Sequence, residues 1–140
     1  MPRADFYLIA RDRFKAEPLR LVCELARKAY DANLWTLVLA RDEEQADAID
    51  AMLWDMGDEA YLPHQVAGDE EDELTPILIA TPNIDAALRP LVINLRDAAV
   101  EGSFERVLEV IPAEDSAREP LRERWKQYKA RGLEVNKHDM

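Results

Sequence analysis

Short apolar segments alternate along this chain with longer segments whose apolar residues recur at helical spacing. The apolar segments predict strands at 6–10, 35–40, 77–80, 91–95 and 107–111. One helix is predicted after Pro18, and a second from about Asp42 to Met56, ending at Gly57. Continuous apolar strands that alternate with helices are typical of a mainly parallel sheet with helices on both faces. The pattern therefore predicts an α/β fold of Rossmann-like architecture.

The length of 140 residues is that of one ordinary domain, so we expect residues 1–140 to form a single domain. A last helix is predicted from Ser116 to about Arg131, before Gly132. Ser116 and Glu119 have the spacing of a capping box, in which each side chain bonds a backbone N–H of the first turn. The residues beyond this helix, 134–140, are expected to fray.

The motifs give little support to an enzyme. Rossmann-like domains bind dinucleotides through a glycine-rich turn after the first strand, whereas residues 11–15 contain no glycine. His64 and His138 lack the spacing of metal ligands, and Cys23 is expected to be a buried structural thiol. We therefore expect no nucleotide-binding loop, no cofactor, no metal and no catalytic residue.

One alternative remains open for the carboxyl ends of the predicted strands. A small α/β enzyme acting on a phosphorylated metabolite would have its site there, near Thr81 or Asn94. Such an enzyme would be stabilised thermally by nucleotides or sugar phosphates.

The charge distribution argues against direct, tight binding of nucleic acid, which depends on basic residues that contact phosphates. The net charge is -11, yet residues 118–131 contain six basic and two acidic residues. One short basic segment in an acidic chain suggests a small anionic partner. A different alternative, an acidic mimic of nucleic acid, would leave this basic segment unexplained. Because no apolar run approaches the roughly 18 residues of a membrane span, and no signal peptide is evident, we expect a cytoplasmic protein without membrane contact.

The predicted last helix carries three cations and an indole at spacings of four, three and four residues. These residues, here called the cationic stripe, are Arg118, Arg122, Trp125 and Lys129. The spacing places them along one side of the helix, where an arginine can hold a carboxylate while the indole packs an apolar side chain. Ile111, at the end of the preceding strand, is in a position to line the same pocket. A competing interpretation is that Trp125 and Tyr128 belong to the core and the cations form an ordinary solvated face.

A second candidate surface follows the second predicted helix. Its residues, here called the aromatic patch, are Trp54, Tyr61, Leu62 and Pro63. Tryptophan and tyrosine are enriched at the energetically important positions of protein interfaces. The patch is therefore predicted to contact a protein partner, with a capped corner of the core as the competing interpretation.

Five segments of the chain resemble one family, in order and at compatible spacing. They are 4–8, 21–26, 51–54, 61–68 and 122–129. The most specific part is the block of Trp, Pro-His and Ala-Gly that starts at Trp54, together with the Arg-Glu-Arg-Trp-Lys helix that follows it. Together these segments resemble the chi subunit of DNA polymerase III, a part of the bacterial clamp loader.

The resemblance implies a Rossmann-like adaptor without catalysis, acting in the cytoplasm at the replication fork. Family members bind the acidic C-terminal tail of single-stranded-DNA-binding protein, which ends in an aromatic residue with a free carboxylate. Carried over by position, the tail site would comprise Ile111, Arg118, Arg122, Trp125, Lys126 and Lys129. The family more often has tyrosine where this chain has Trp125, which keeps a stacking ring and removes a hydroxyl.

The resemblance implies a second partner, the psi subunit of the clamp loader, which would contact Trp54, Tyr61 and Pro63. The family usually has phenylalanine at the position of Tyr61. A different clamp-loader segment is the alternative partner for this surface.

Overall fold

The computed structural model describes residues 2–55 and 62–140. Within these residues the chain forms seven strands and four α-helices. In chain order they are β1 Arg3–Leu8, α1 Asp12–Ala16, α2 Pro18–Asp31, β2 Thr36–Leu39, α3 Glu43–Asp55, β3 His64–Val66, β4 Ile77–Ala80, β5 Leu91–Asn94, β6 Arg106–Ile111, α4 Arg118–Ala130 and β7 Glu134–Asp139. Each predicted strand and helix has a counterpart, and the boundaries within the described residues differ by up to three residues at each end. The predicted end of the second helix, at Met56 and Gly57, lies outside the described residues.

The strands form one sheet in the order β3-β4-β2-β5-β6-β1-β7, and every neighbouring pair is parallel. Parallel neighbours require crossovers, so all the strands end at the same edge of the sheet. The predicted α/β fold with a mainly parallel sheet is confirmed. Strand order was not predicted, because an apolar strand in the middle of a sheet has the same pattern whichever neighbours it has.

Helices cover both faces of the sheet, as predicted. α1, α2 and α3 pack on one face through a cluster that includes Phe14, Leu21, Ile49 and Leu53. α4 packs on the other face through Tyr128, against Phe6 of β1 and Val107 of β6. The rest of that second face is covered by the loop after β4, through Ile84 and Leu88. α4 therefore covers β1 and β6 on this face of the sheet. This packing decides which residues of α4 reach solvent.

The C-terminal segment 134–140 does not fray, and that expectation was wrong. Residues 134–139 form β7, whose register pairs Arg3 with Glu134 and Leu8 with Asp139. The N–H of Met140 donates to the carbonyl of Leu8 at 2.8 Å. The segment is polar, which is why its pattern did not predict a strand, but an edge strand needs little apolar surface once a neighbour supplies its hydrogen bonds.

The start of α4 also differs from the predicted capping box. Asp115–Ala117 form a 3-10 turn, α4 begins at Arg118, and the hydroxyl of Ser116 donates weakly to Glu114 at 3.5 Å. Ser116 lies inside the turn and is therefore not the N-cap. The predicted end is confirmed: Gly132 follows the helix at a φ of +85°, a conformation that glycine adopts without a steric penalty.

Candidate protein-interaction surfaces

The inner face of α4 is attached to the sheet by a buried polar network centred on Glu109 of β6. The hydroxyl of Tyr128 donates to Oε2 of Glu109 at 2.6 Å, and Nδ2 of Asn94 donates to the same oxygen at 2.8 Å. Nε of Arg124 lies 3.0 Å from Oε1 of Glu109, at ion-pair distance but not aligned for a hydrogen bond. Nη1 of Arg124 donates to the carbonyl of Asp97 at 2.9 Å. The network joins α4 to β5, to β6 and to the loop between them.

Burial affects both acidic groups of this network in the same direction. It raises the pKa of Glu109, although Arg124 and the hydrogen bonds from Asn94 and Tyr128 favour the ionised carboxylate. Burial and the neighbouring carboxylate also raise the pKa of Tyr128, so its phenol remains a donor at neutral pH. The network therefore fixes the rotation of α4 about its own axis, because both Arg124 and Tyr128 must face inward to satisfy Glu109.

With that rotation fixed, the opposite flank of α4 presents its cations to solvent. Arg118, Arg122, Lys126 and Lys129 are all exposed. Arg118 lies 3.6 Å from Asp115 and Lys126 lies 3.9 Å from Glu123, both as exposed pairs of small energetic value. Within the part of the chain that the structure describes, the side chains of Arg122 and Lys129 have no hydrogen bond or ion pair. Their charges are available to an external anion.

Trp125 lies on the boundary between the inner face and the cationic flank. Its ring packs on Phe6 with centroids 5.1 Å apart and planes tilted by 46°, and the side chain is half-buried. Ile111 belongs to the same cluster but is only 3% exposed. The exposed part of the Trp125 side chain lies next to the cationic flank, because Arg122 is three residues earlier on the same helix. Ile111 lies in the core on the same face of the sheet and does not form part of the accessible surface.

The aromatic patch is only partly within the described residues, because Tyr61 lies outside them. Trp54 lies in the last turn of α3 with 55% of its surface exposed, and its ring meets that of His64 edge-on at 5.0 Å. Pro63 is half-buried, whereas Leu62 is 3% exposed and packs into the α2 and α3 cluster. Leu62 therefore supports the patch from the core, and Trp54 and Pro63 provide its described surface.

Thr81 and Asn94, which the alternative enzyme would place near its active site, are buried and hydrogen-bonded within the fold. Thr81 is 3% exposed and donates to Asn83, and Asn94 is 1% exposed and donates to Glu109. The guanidinium of Arg96 caps the carboxyl ends of two strands, donating to the carbonyls of Ala40 at 2.9 Å and Ala80 at 3.0 Å. The geometry at these strand ends thus gives no support to a phosphate site at Thr81 or Asn94.

Residues 2–55 and 62–140 contain neither a metal-binding cluster nor a helix suited to span a membrane. No group of three His, Cys, Asp or Glu side chains in this range is arranged to hold a metal ion. Within the same range, none of the helices combines the length and the apolar character that a membrane span requires.

Sequence reasoning missed the Glu109 and Arg124 pair, although a signal was present. Glu109 interrupts an otherwise apolar strand, and a charge in a buried strand requires a partner. Arg124 is one helical turn from Tyr128 and so shares its inward face. The pattern contains both residues but cannot pair them, since they belong to different elements.

Comparison with known proteins gives a consistent result across nearly the whole chain. Residues 1–136 match the family model described as the DNA polymerase III chi subunit. The chain is 32% identical to the DNA polymerase III subunit chi of Escherichia coli K12 over 142 residues, which cover 97% of each protein. It is 32% identical to the subunit of the same name from Pseudomonas aeruginosa over 143 residues, covering 99% of this chain and 96% of that protein.

Among solved structures, similar chains share the fold at low sequence identity. T4 UvsW superposes with a TM-score of 0.63 at 12% identity, covering 99% of this chain and 41% of that one. A DEAD box protein from the hyperthermophile Methanococcus jannaschii gives a TM-score of 0.58 at 15% identity, covering 96% of this chain and again 41% of the other. The present chain thus spans less than half of either neighbour, and the likeness concerns the α/β fold alone.

Proposed function

The chain belongs to the chi subunit family of DNA polymerase III, and from this premise we propose that it is a non-catalytic adaptor of the bacterial clamp loader. It binds the acidic C-terminal tail of single-stranded-DNA-binding protein and connects that protein to the clamp loader through the psi subunit. As a part of the replication machinery it works in the cytoplasm, at the replication fork. The protein contacts DNA through its partners, because its own net charge of -11 opposes a general grip on phosphates.

The observation that carries this proposal is the flank of α4. Four exposed cations lie along one side of a helix whose rotation is fixed from beneath, and a half-buried indole lies next to them. An acidic peptide is attracted by the cations, and electrostatic complementarity of this kind raises the association rate. Since the remainder of the chain is acidic, the same peptide is repelled elsewhere on the surface.

The end of the tail supplies the specificity. The terminal carboxylate binds the guanidinium of Arg122, whose planar donors match a carboxylate and which has no side-chain partner among the described residues. The terminal aromatic ring packs against the accessible edge of Trp125. Arg118, Lys126 and Lys129 attract the acidic residues that precede it, and Ile111 supports the floor beneath Trp125.

Each tail binds with modest affinity, because a disordered peptide loses conformational entropy when it docks. Many copies of the partner coat single-stranded DNA and offer many tails. Rebinding to neighbouring tails then keeps the clamp loader close to its template without requiring a tight individual contact.

The second contact uses the aromatic patch. Trp54 and Pro63 present an apolar surface at the end of α3, remote in sequence from the cationic stripe. An exposed tryptophan beside a proline is suited to an apolar segment of the psi subunit, or of another clamp-loader subunit. Placing the two partners on different elements allows both to bind at once, as an adaptor requires.

Fluorescence anisotropy of a labelled tail peptide tests the proposed site. We expect saturable binding at about 50 mM salt that weakens clearly by about 300 mM, because the exposed cations are screened. Arg122→Ala, or amidation of the peptide C-terminus, should weaken binding by about tenfold or more. Arg20→Ala removes an exposed arginine from α2 and serves as the matched control. Wild-type affinity in the Arg122→Ala protein would refute the proposed grip on the carboxylate.

A further inference from the structure

A cleft of about 410 Å3 opens at the carboxyl ends of the strands, on the face covered by α2 and α3. Its floor is formed by Ile9 after β1, Leu95 after β5 and Val110 of β6. Its volume falls in the range of about 300–1,000 Å3 that ligand sites occupy. Open parallel sheets bind ligands in crevices of this kind, outside the carboxyl ends of their strands. The cationic stripe and the aromatic patch contribute no residue to it.

Eight of the thirteen residues that line the cleft are apolar, and the other five are polar or charged. Besides the floor, Leu19 and Val22 of α2 and Ala48 of α3 contribute aliphatic carbon to its lining. Such a surface gains free energy when an aliphatic side chain displaces water from it. The lining therefore favours an apolar anchor over a fully polar ligand.

The rim of the cleft is acidic. It contains Arg41, Asp42, Glu44 and Glu114, all exposed. Arg41 lies 3.9 Å from Asp42, so their charges largely cancel. Among the described residues neither Glu44 nor Glu114 is in an ion pair, and the carboxylate of Glu114 accepts only the long hydrogen bond from Ser116. Two carboxylates are therefore left without a counter-charge.

The partial positive charges of the helix N-termini at the cleft do not cancel the negative charge of its rim. α2 and α3 both begin there, and each N-terminus carries a partial positive charge of roughly half a unit. The N-terminus of α3 is already occupied, because Oδ1 of Asp42 accepts from the N–H of Gln45 at 2.7 Å. With formal charges of -1 on each of Glu44 and Glu114, the rim favours a cation over a phosphate or a carboxylate.

We propose that this cleft is a third binding site, which takes a peptide segment of a protein partner whose aliphatic side chains are flanked by Lys or Arg. The aliphatic side chains enter the cleft, and the basic groups pair with Glu44 and Glu114 on its rim. The site is opposite in charge preference to the cationic stripe, so it does not compete for the acidic tail. The proposal does not depend on the proposed function, because it rests on a separate set of residues.

Amide-resolved NMR with three capped tetrapeptides tests the proposal. The probes are Lys-Leu-Leu-Lys, its charge-inverted form Glu-Leu-Leu-Glu, and its polar form Lys-Ser-Ser-Lys. We expect Lys-Leu-Leu-Lys to shift the amides of Val22, Ala48 and Leu95, and the other two peptides to bind at least about tenfold more weakly. Equal binding of all three, shifts spread over the acidic surface, or preference for Glu-Leu-Leu-Glu would overturn the proposal.

Matched variants separate the cleft from general attraction to an acidic protein. Ala48→Trp fills the cleft from an exposed position of α3 and should abolish the cleft shifts, whereas Ala130→Trp at the end of α4 should leave them unchanged. The double variant Glu44→Gln with Glu114→Gln should weaken binding by about fivefold to tenfold, because two counter-charges are lost. Cleft shifts that appear on concentrating the protein without any peptide would overturn the proposal in favour of a second copy of the chain.

Discussion

Nε of Arg124 lies 3.0 Å from Oε1 of Glu109, and neither side chain has more than 6% of its surface exposed. One residue belongs to α4 and the other to the strand beneath it. A buried ion pair contributes little net stability compared with apolar residues of the same shape, but the loss of one partner leaves the other charge uncompensated. The pair therefore acts mainly on geometry: it selects one rotation of α4 and so decides which residues of the helix face solvent.

Arg124→Met should lower the free energy of unfolding by about 3 kcal/mol, because it leaves Glu109 buried without its cation. The double variant Arg124→Met with Glu109→Gln should recover part of that loss, with a coupling energy of about 2 kcal/mol in a double-mutant cycle. Urea unfolding followed by circular dichroism measures both values. Arg122→Met, on the exposed flank of the same helix, should change stability by no more than about 0.5 kcal/mol. If the two arginine variants were equally stable, the network would not anchor α4.

Replacement of Trp125 should separate its role in packing from its role in binding. Trp125→Ala removes the contact with Phe6 and should lower the free energy of unfolding by about 2 kcal/mol, less than for a fully buried ring. It should also weaken tail binding by about tenfold, since an aromatic anchor is lost. Trp125→Tyr keeps a stacking ring and should bind within about threefold of the wild type.

The measurement is the tail titration at a temperature where circular dichroism shows each variant to be folded. Trp35→Ala is the matched control, because it removes a tryptophan with 39% exposure just before β2. It should leave tail affinity unchanged. Trp125→Ala binding as tightly as the wild type would assign the indole to packing alone.

Asp5 links three elements through a carboxylate that is almost fully buried. Burial disfavours its ionisation, but the hydrogen bonds from His138 and Arg106, with the charges of Arg106 and Arg3, outweigh this and hold the pKa of Asp5 below 3.8. A carboxylate with a depressed folded pKa adds stability that is fully present above the unfolded value of 3.8 and is lost as pH falls through the folded pKa.

Asp5→Asn removes the charge-assisted hydrogen bonds to the ionised carboxylate. It should therefore lower the free energy of unfolding by about 2 kcal/mol at neutral pH. The difference between wild type and variant should persist down to about pH 5 and shrink steadily below pH 3.8. Unfolding by urea at a series of pH values measures this difference directly. Asp31→Asn, at the exposed end of α2, is the control and should show no comparable pH-dependent gap. A constant difference from pH 7 to pH 2.5 would contradict this account.

The sequence predicted the elements with strong patterns and missed those defined by their neighbours. The segments 77–80 and 107–111 correspond closely to β4 and β6, because a strand buried on both faces is largely apolar, and only Glu109 interrupts the pattern in 107–111. β3 is three residues long and lies at one edge of the sheet, where a strand can be short and polar. No periodicity in its sequence distinguishes it from a loop.

The candidate sites were predictable to a similar degree. Helical spacing placed Arg118, Arg122 and Lys129 on one side of α4, and all three are exposed there. The same spacing could not show that Ile111 would be covered, since the depth of a residue depends on which helix packs over its strand. The cleft at the carboxyl edge escaped prediction entirely, because it brings together residues from seven elements and loops that are far apart in sequence.

Deletion of β7, the polar strand at one edge of the sheet, tests how much that edge contributes to stability. β7 supplies the backbone partners of β1 on that side, and the carbonyl of Met140 accepts from the N–H of Arg11 at 2.8 Å. His138 stacks on Tyr7 with centroids 4.7 Å apart and bonds Asp5 at 3.0 Å. Deletion of residues 134–140 should therefore lower the free energy of unfolding by about 3 kcal/mol or more, at about 1 kcal/mol for each net hydrogen bond lost.

The deletion should also expose the edge of β1, whose unpaired N–H and C=O groups can pair with another chain. We expect concentration-dependent association of the truncated protein in sedimentation velocity runs, alongside a lower melting temperature. His138→Ala, which leaves the strand in place, should cost less stability and should not promote association, so it separates the side-chain contacts from the backbone pairing. A truncated protein that melts like the wild type and remains at one sedimentation coefficient would mean that residues 134–140 do not hold this edge in solution.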